Sequence, residues 1–436
     1  MSLKARVFAA GSWVLAGYAG AQILRFATNV ALTRLLFPEA FGMMVVVFAI
    51  IMGVNLLSDL GIAGGIVVHN AGSDEGYLNT AWTIQILRGL ALGGLIFFAA
   101  GTLAKVFSNV ELEPLLRIVS LAPIISGFTT TKVALADRQL NAKKRVVIDF
   151  GIQFVSAIVT TLLAWLLKSP AALAWGTVFS ATLGVLAQHQ LLPGPANKLH
   201  WEREHAREII SIGGFSFLSS ALLYASGEGS RLFSATMIDS RMLGLIGLAG
   251  ALAIMPWQAV QQLSQRVLTP AYAEVFRSGD SGQLRRVIFK ARALQIIPCW
   301  VLSMATMVCA GILFSILYDS RYAEAAQILR VQCAGMLVAV LTSSYNGVLW
   351  SMKRFGLSMV LQGAQSVLLW MGMFFGFHVD GAMGLVIGTA VSSWAFYPVS
   401  FVVYRKLGLT NGWFDSIVLA LSLIATLLLW HGTFGS

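Results

Sequence analysis

Residues Leu192–Glu208 read LPGPANKLHWEREHARE, and this stretch organises the chain. Pro193 and Pro195 each lack the backbone N–H that a helix interior requires, so a helix arriving from the N-terminal side must stop here. The charged residues that follow suit a polar, amphipathic turn lying on a membrane surface. On either side the sequence is almost continuously apolar. Six long apolar segments precede this stretch and seven follow it.

The composition agrees. Of 436 residues, 57% are hydrophobic and only 11% are charged, where a soluble domain carries about 25%. The mean hydropathy is +0.77. A helix needs about 20 residues to cross the hydrocarbon core. The candidate spans fall near 12–36, 41–68, 79–107, 114–136, 146–167, 170–192, 209–237, 241–269, 285–315, 323–350, 355–378, 381–405 and 412–433. They are too long and too evenly apolar for the alternating strands of a barrel. The expected fold class is an all-α polytopic membrane protein: lobes at 1–192 and 209–405, a cytoplasmic linker at 193–208, and one additional helix within 406–436. The short connections leave no room for a soluble domain.

The formal net charge is +11. With the N-terminus placed in the cytoplasm, the connections and helix ends on that side carry 18 Lys and Arg, including Arg285, Arg286, Lys290 and Arg292, against 5 on the other. This is the positive-inside asymmetry. The basic excess is therefore topological and calls for no nucleic-acid partner. The halves also echo each other: WGTVFS (Trp175–Ser180) resembles IGTAVS (Ile387–Ser392), and NAKKRV before span five matches SMKRFG before span eleven. Both halves enter from the cytoplasm, so the repeat would be parallel, with a pseudo-twofold along the membrane normal.

Several polar residues fall inside spans. Gln22, Arg25 and Asn29 share one face of span one. A charge at the bilayer centre costs about 2.5–3.5 kcal/mol on insertion scales, and no acidic residue lies within four positions of Arg25. Its partner must come from another helix or from an anionic ligand. Asp59 and Arg88 sit at matching depths in spans two and three and suit an ion pair. Glu228 and Arg231 are three residues apart on span seven and suit a local pair, in the stretch YASGEGSR whose glycines weaken the helix. Arg34, Lys132 and Arg266 are expected to snorkel to the interfaces. Gly89/Gly93, Gly372/Gly376 and Gly384/Gly388 have the spacing of close helix packing. Cys299, Cys309 and Cys333 all lie in apolar segments and read as buried, inert thiols. No GxxxxGK[ST], HExxH or GxSxG is present, so the chain is not expected to be an enzyme or to need a cofactor or metal.

Four stretches in order, RLLFPEAFGMM (Arg34–Met44), LLSDLGIAGGIV (Leu56–Val67), NTAWTIQILRGL (Asn79–Leu90) and ADRQLNAKKR (Ala136–Arg145), resemble the bacterial oligosaccharide and polysaccharide flippases. These are the Wzx-type, polysaccharide-transporter members of the multidrug/oligosaccharidyl-lipid/polysaccharide exporter superfamily. RMLGLIGLAGALAIMP (Arg241–Pro256) and SRYAEAAQILR (Ser320–Arg330) extend the likeness into the second half. The resemblance implies two six-helix lobes working by alternating access on an oligosaccharide linked to undecaprenyl diphosphate. It implies a basic central cavity, a bacterial inner-membrane location, and work alongside a polysaccharide polymerase and chain-length machinery. Arg25, Gln22, Asn29, Arg88 and Arg231 are then the candidates for binding the anionic head, and Asp59 or Glu228 for proton coupling. Trp13, Tyr18 and Trp82 either stack on sugars or pack. The rivals are a cation-coupled multidrug antiporter, which favours acidic residues in span one, and a membrane glycosyltransferase or polymerase, which needs a large external loop.

Overall fold

The computed structural model describes residues 3–434 except 59–61, 63–65, 67–73, 139–141, 211–223, 226, 264–280, 346–347, 350–351, 353 and 411. Asp59 and Arg266 thus lie outside the described residues. Every regular element among those described is helical, and eight helices are long and apolar enough to cross a membrane. The chain forms two compact units, Met1–Thr236 and Met237–Ser436.

The first unit holds α1 (Leu3–Leu35), α2 (Pro38–Leu57), α3 (Glu75–Val106), α4 (Leu112–Val119), α5 (Leu121–Gly127), α6 (Lys132–Arg138), α7 (Ala142–Leu167), α8 (Ala171–Leu191) and α9 (Glu228–Ala235). Helix ends follow local chemistry. Pro38 opens α2, where its missing N–H costs nothing. Asp74 caps α3 by accepting from the Tyr77 N–H at 3.1 Å. Small residues set the spacing. A Cβ on Gly89 would come within 2.6 Å of the Pro123 carbonyl oxygen and 2.8 Å of the Gly127 Cα, so α3 and α5 meet backbone to backbone.

The span expected at 114–136 is not one helix. It is broken into α4, α5 and α6. Pro123 cannot donate to the carbonyl of Val119, and α4 ends at Val119. Beyond Gly127 the chain leaves the helix through Phe128–Thr131, where threonine hydroxyls compete for backbone bonds. Lys132 N donates to Thr130 Oγ1 at 3.2 Å, which starts α6. Non-helical backbone at membrane depth must find partners within the protein, and here it does. Gln85 Nε2 donates to the Thr129 carbonyl at 3.0 Å, Trp82 Nε1 to that of Phe128 at 3.3 Å, and His189 Nε2 lies 2.8 Å from the same oxygen.

The Leu192–Glu208 stretch is a strap against α3 and the break, with helix beginning only at Arg203. Lys198, His200 and Glu202 donate their N–H groups to Asn79 Oδ1, Thr83 Oγ1 and Thr80 Oγ1 at 2.9, 3.0 and 3.2 Å. Asn197 bonds the hydroxyls of Thr130 and Thr131 at 2.7 and 2.6 Å. Lys132 does not snorkel: its Nζ donates to the His189 carbonyl at the end of α8, at 2.9 Å.

The second unit holds α10 (Ser240–Leu263), α11 (Ser281–Leu317), a 3-10 turn (Ser320–Tyr322), α12 (Ala325–Ser343), α13 (Phe355–Lys406) and α14 (Gly412–Phe434). α12 is its centre and packs on α10, α11, α13 and α14. The 52 residues of α13 are two spans, parted by non-helical backbone at Asp380 and Gly381, the latter at φ +52°. Gly372 faces Gly388, and Gly376 faces Gly384. That pairing is centred on Asp380, so the two halves fold back antiparallel in the register of the expected spans 355–378 and 381–405. Cys299 and Cys333 are buried, but Cys309 is exposed. It lies beside outward-facing Val308 and Ile312, a side of α11 suited to lipid.

Candidate functional site

The polar face of α1 is set by how α1 packs. Gly17 and Gly20 let α7 approach: a Cβ on Gly17 would strike Val146, and one on Gly20 would lie 3.2 Å from the Phe150 ring. Gln153 Nε2 donates to the Ala21 carbonyl at 3.4 Å, which closes the same face. At about 100° per residue, Tyr18, Gln22, Arg25 and Asn29 centre roughly 110° from that face. Ile23, 70% exposed, lies roughly as far round the other way. α1 therefore presents an apolar side suited to lipid and, separately, a polar stripe.

Within the stripe, Gln22 Nε2 donates to the Tyr18 hydroxyl at 3.1 Å and Arg25 Nη1 donates to Gln22 Oε1 at 3.4 Å. Arg25 is exposed and meets no carboxylate among the described residues. Its charge is thus held by one long neutral hydrogen bond, which leaves most of the guanidinium donors open.

The other candidates divide. Arg88 bridges to the end of α2: Nη2 donates to the Asn55 carbonyl at 2.7 Å and Nε to Ser58 Oγ at 3.1 Å. A cation there satisfies carbonyls that a helix C-terminus leaves unpaired. Glu228 and Arg231 form the local pair, with Nη1 donating to both carboxylate oxygens at 2.8 Å. Arg231 remains half exposed, and its Nη2 and Nε make no hydrogen bond among the described residues. Gly227 precedes α9 with φ −94° and ψ −91°, so the helix does break in the glycine-rich stretch. α9 packs on α2, and the Tyr224 hydroxyl donates to the Ala49 carbonyl of α2 at 3.3 Å, which places this segment in the first compact unit. Of the three aromatics, Trp82 is engaged at the helix break and Trp13 lies under the Lys143 ammonium at 4.9 Å.

Residues 31–327 match the family described as polysaccharide biosynthesis protein. The chain belongs to that family. Over 393 residues it is 22% identical to the lipopolysaccharide biosynthesis protein WzxC of Escherichia coli (strain K12), covering 89% of this chain and 78% of that one. Two solved structures share the fold at a TM-score of 0.69. The lipid II flippase MurJ, in an inward closed conformation, is 11% identical, with 95% of this chain and 97% of that one covered. An inward-facing multidrug resistance MATE family transporter of the MOP superfamily is 14% identical, with 92% and 96% covered. The described residues of this chain are all helical in their regular structure, with a MATE/MurJ-like fold and eight helices long and apolar enough to cross a membrane, as in a multi-pass membrane protein.

Three features escaped the sequence reading. Arg292, counted among the cytoplasmic basic residues, is 1% exposed and paired with Asp415 at 2.9 Å. Asp149, on α7, lines a cavity with Gln188 and several hydroxyls. Arg330, inside α12, has a buried Nε with no hydrogen-bond partner among the described residues. Only Arg330 left a signal, as a lone arginine within an apolar helix.

Proposed function

We propose that this protein flips an oligosaccharide linked to undecaprenyl diphosphate from the inner to the outer leaflet, for assembly of a surface polysaccharide such as O-antigen or exopolysaccharide. The carrying observation is Arg25, an exposed arginine on the polar stripe of α1 with no carboxylate partner among the described residues. Family membership and the WzxC likeness support the substrate class. The diphosphate must cross a slab of low dielectric. An arginine stays charged there and offers forked donors to phosphate oxygens. Gln22 and Asn29 extend the same stripe, and Arg231 adds open donors.

Arg88 serves in this scheme by holding α2 against α3, and Asp59 or Glu228 couples the cycle to protons. The working halves are 1–192 and 209–405, related by a parallel pseudo-twofold and alternating access, with about thirteen spans in all; α9, at the start of the second half, crosses over to pack on α2 of the first. The N-terminus lies in the cytoplasm, the membrane is the bacterial inner membrane, and the partners are a polysaccharide polymerase and chain-length machinery. The MATE likeness raises a second reading, a cation-coupled multidrug antiporter. The absence of any carboxylate between Leu3 and Leu35 weighs against a cationic substrate on α1.

The test is leaflet exposure of a labelled undecaprenyl-diphosphate oligosaccharide in liposomes carrying purified protein. Accelerated exposure is expected. No acceleration, with and without a proton gradient, together with export of a lipophilic cation, would establish the antiporter instead.

A further inference from the structure

The break in the fourth span opens a cavity inside the first unit. It measures about 240 Å³, with Ser126 and Thr129 on the broken segment, Asp149 on α7, and Ser180, Gly184 and Gln188 on α8. The α8 residues recur every fourth position, so they form one line down a single face. Asp149 lies seven residues into α7, about 10 Å along its axis, and Gln188 lies in the last turn of α8. The cavity therefore lies toward the end of the bundle where α7 begins and the Leu192–Glu208 strap leaves. Under the orientation proposed above, that is the cytoplasmic end.

The lining is unusual for helices packed in lipid. It brings together three hydroxyls, an amide and a carboxylate beside the apolar side chains of Ile152, Ala181 and Val185. Gln188 Nε2 reaches Asp149 Oδ1 at 3.4 Å, and Arg145 Nε lies 3.4 Å from Asp149 Oδ2. Both contacts are long, and Asp149 keeps 44% of its side chain exposed. A mixed wall of this kind offers donors and acceptors together with apolar surface for the face of a ring. It suits a neutral ligand that is itself rich in hydroxyls. The carboxylate opposes a diphosphate or an acidic sugar. The volume equals roughly eight liquid waters and is below the range of about 300–1,000 Å³ typical of drug-sized sites. It fits one sugar ring rather than an extended chain. The space stands open beside Gly184, where an added Cβ would meet nothing within 4 Å.

We infer that this cavity is a subsite for a neutral, hydroxyl-rich sugar ring of the transported glycan, separate from the arginine stripe that takes the diphosphate. The inference rests on the flippase reading. Asp149 and Gln188 accept from and donate to the ring hydroxyls, and the serines and Thr129 complete the set.

The experiment compares binding of two lipids, bare undecaprenyl diphosphate and the undecaprenyl-diphosphate oligosaccharide, in nanodiscs free of sugar-headed detergent. The variants are Asp149→Asn, which keeps the shape, and Gly184→Leu, which fills the cavity with no backbone conflict. Each should weaken binding of the glycosylated lipid about tenfold and leave the bare lipid unchanged, whereas Arg25→Ala should weaken both. Equal loss for both lipids would mean a structural effect and would overturn the subsite. So would wild-type binding of the glycosylated lipid by both variants, or a loss of proton-gradient dependence in Asp149→Asn with unchanged lipid binding, which would make the cavity a coupling-ion site. If wild-type protein moves no glycolipid at all, the flippase reading itself fails, a result distinct from each of these.

Discussion

Arg292 Nη2 donates to Asp415 Oδ1 at 2.9 Å across 123 residues of sequence, with both side chains at 1% exposure or less. The pair joins α11 to α14. Arg292 Nε also donates to Ser344 Oγ at 3.0 Å, and its guanidinium carbon sits 3.7 Å from the centre of the Tyr345 ring. Tyr345 and Tyr397 both donate to Asp415 Oδ2, at 3.3 and 3.4 Å. The last helix is thus fixed to its unit by a charge network that spans α11, α12, α13 and α14.

Removing one partner strands a buried charge, which costs about 3–5 kcal/mol. Asp415→Ala and Arg292→Ala should each lower thermal stability in detergent substantially. The double variant Arg292→Met/Asp415→Leu should recover much of the loss, since no charge is left unpaired. Additive losses in a double-mutant cycle would show that the two residues act independently.

Among the described residues Arg25 bonds only Gln22, and its removal there strands no charge. Arg25→Ala should leave expression and melting close to wild type while lowering glycolipid flipping at least tenfold. Arg25→Lys should restore part of it, as a point charge without the fork. Normal flipping by Arg25→Ala would take this residue out of the transport path.

The Glu228–Arg231 pair is half exposed on its basic side, where such pairs contribute at most about 1 kcal/mol. Glu228→Gln should therefore change stability little. In that background, Arg231→Gln should weaken binding of undecaprenyl diphosphate severalfold, because the open Nη2 and Nε are lost with the charge. Unchanged binding assigns Arg231 to its local pair alone.

Gly376 and Gly384 face each other with no room for a side chain. Gly376→Ala must push the two halves of α13 apart. The expected outcome is a marked fall in folded yield by size-exclusion chromatography. Gly363→Ala, at a position with nothing within 4 Å of the added Cβ, should be tolerated.

The helical membrane character was legible in the apolar runs, and the turn at Asp380–Gly381 fell where the sequence parted two spans. Gly89, Gly372 and Gly384 carried their packing role openly, because close backbone approach admits little else. The broken fourth span was harder. Pro123 and the Phe128–Thr131 run signal a weak helix, but Trp82, Gln85 and His189, which satisfy the freed carbonyls, lie 44 to 61 residues away.

What the sequence determined by itself is what one helix can specify: length, apolarity, the face on which Gln22, Arg25 and Asn29 stand, and the local pairing of Glu228 with Arg231. These depend on helical spacing, which is a property of neighbours in the chain. What only the tertiary structure decided is the fate of each buried charge. Arg292 looked like one more basic residue at a helix end until packing set it on Tyr345 and Asp415. Asp149 looked unremarkable until the break beside it left a cavity. Desolvation depends on what surrounds a group in three dimensions, so the same residue type is anchor, ion pair or binding site according to helices distant in sequence.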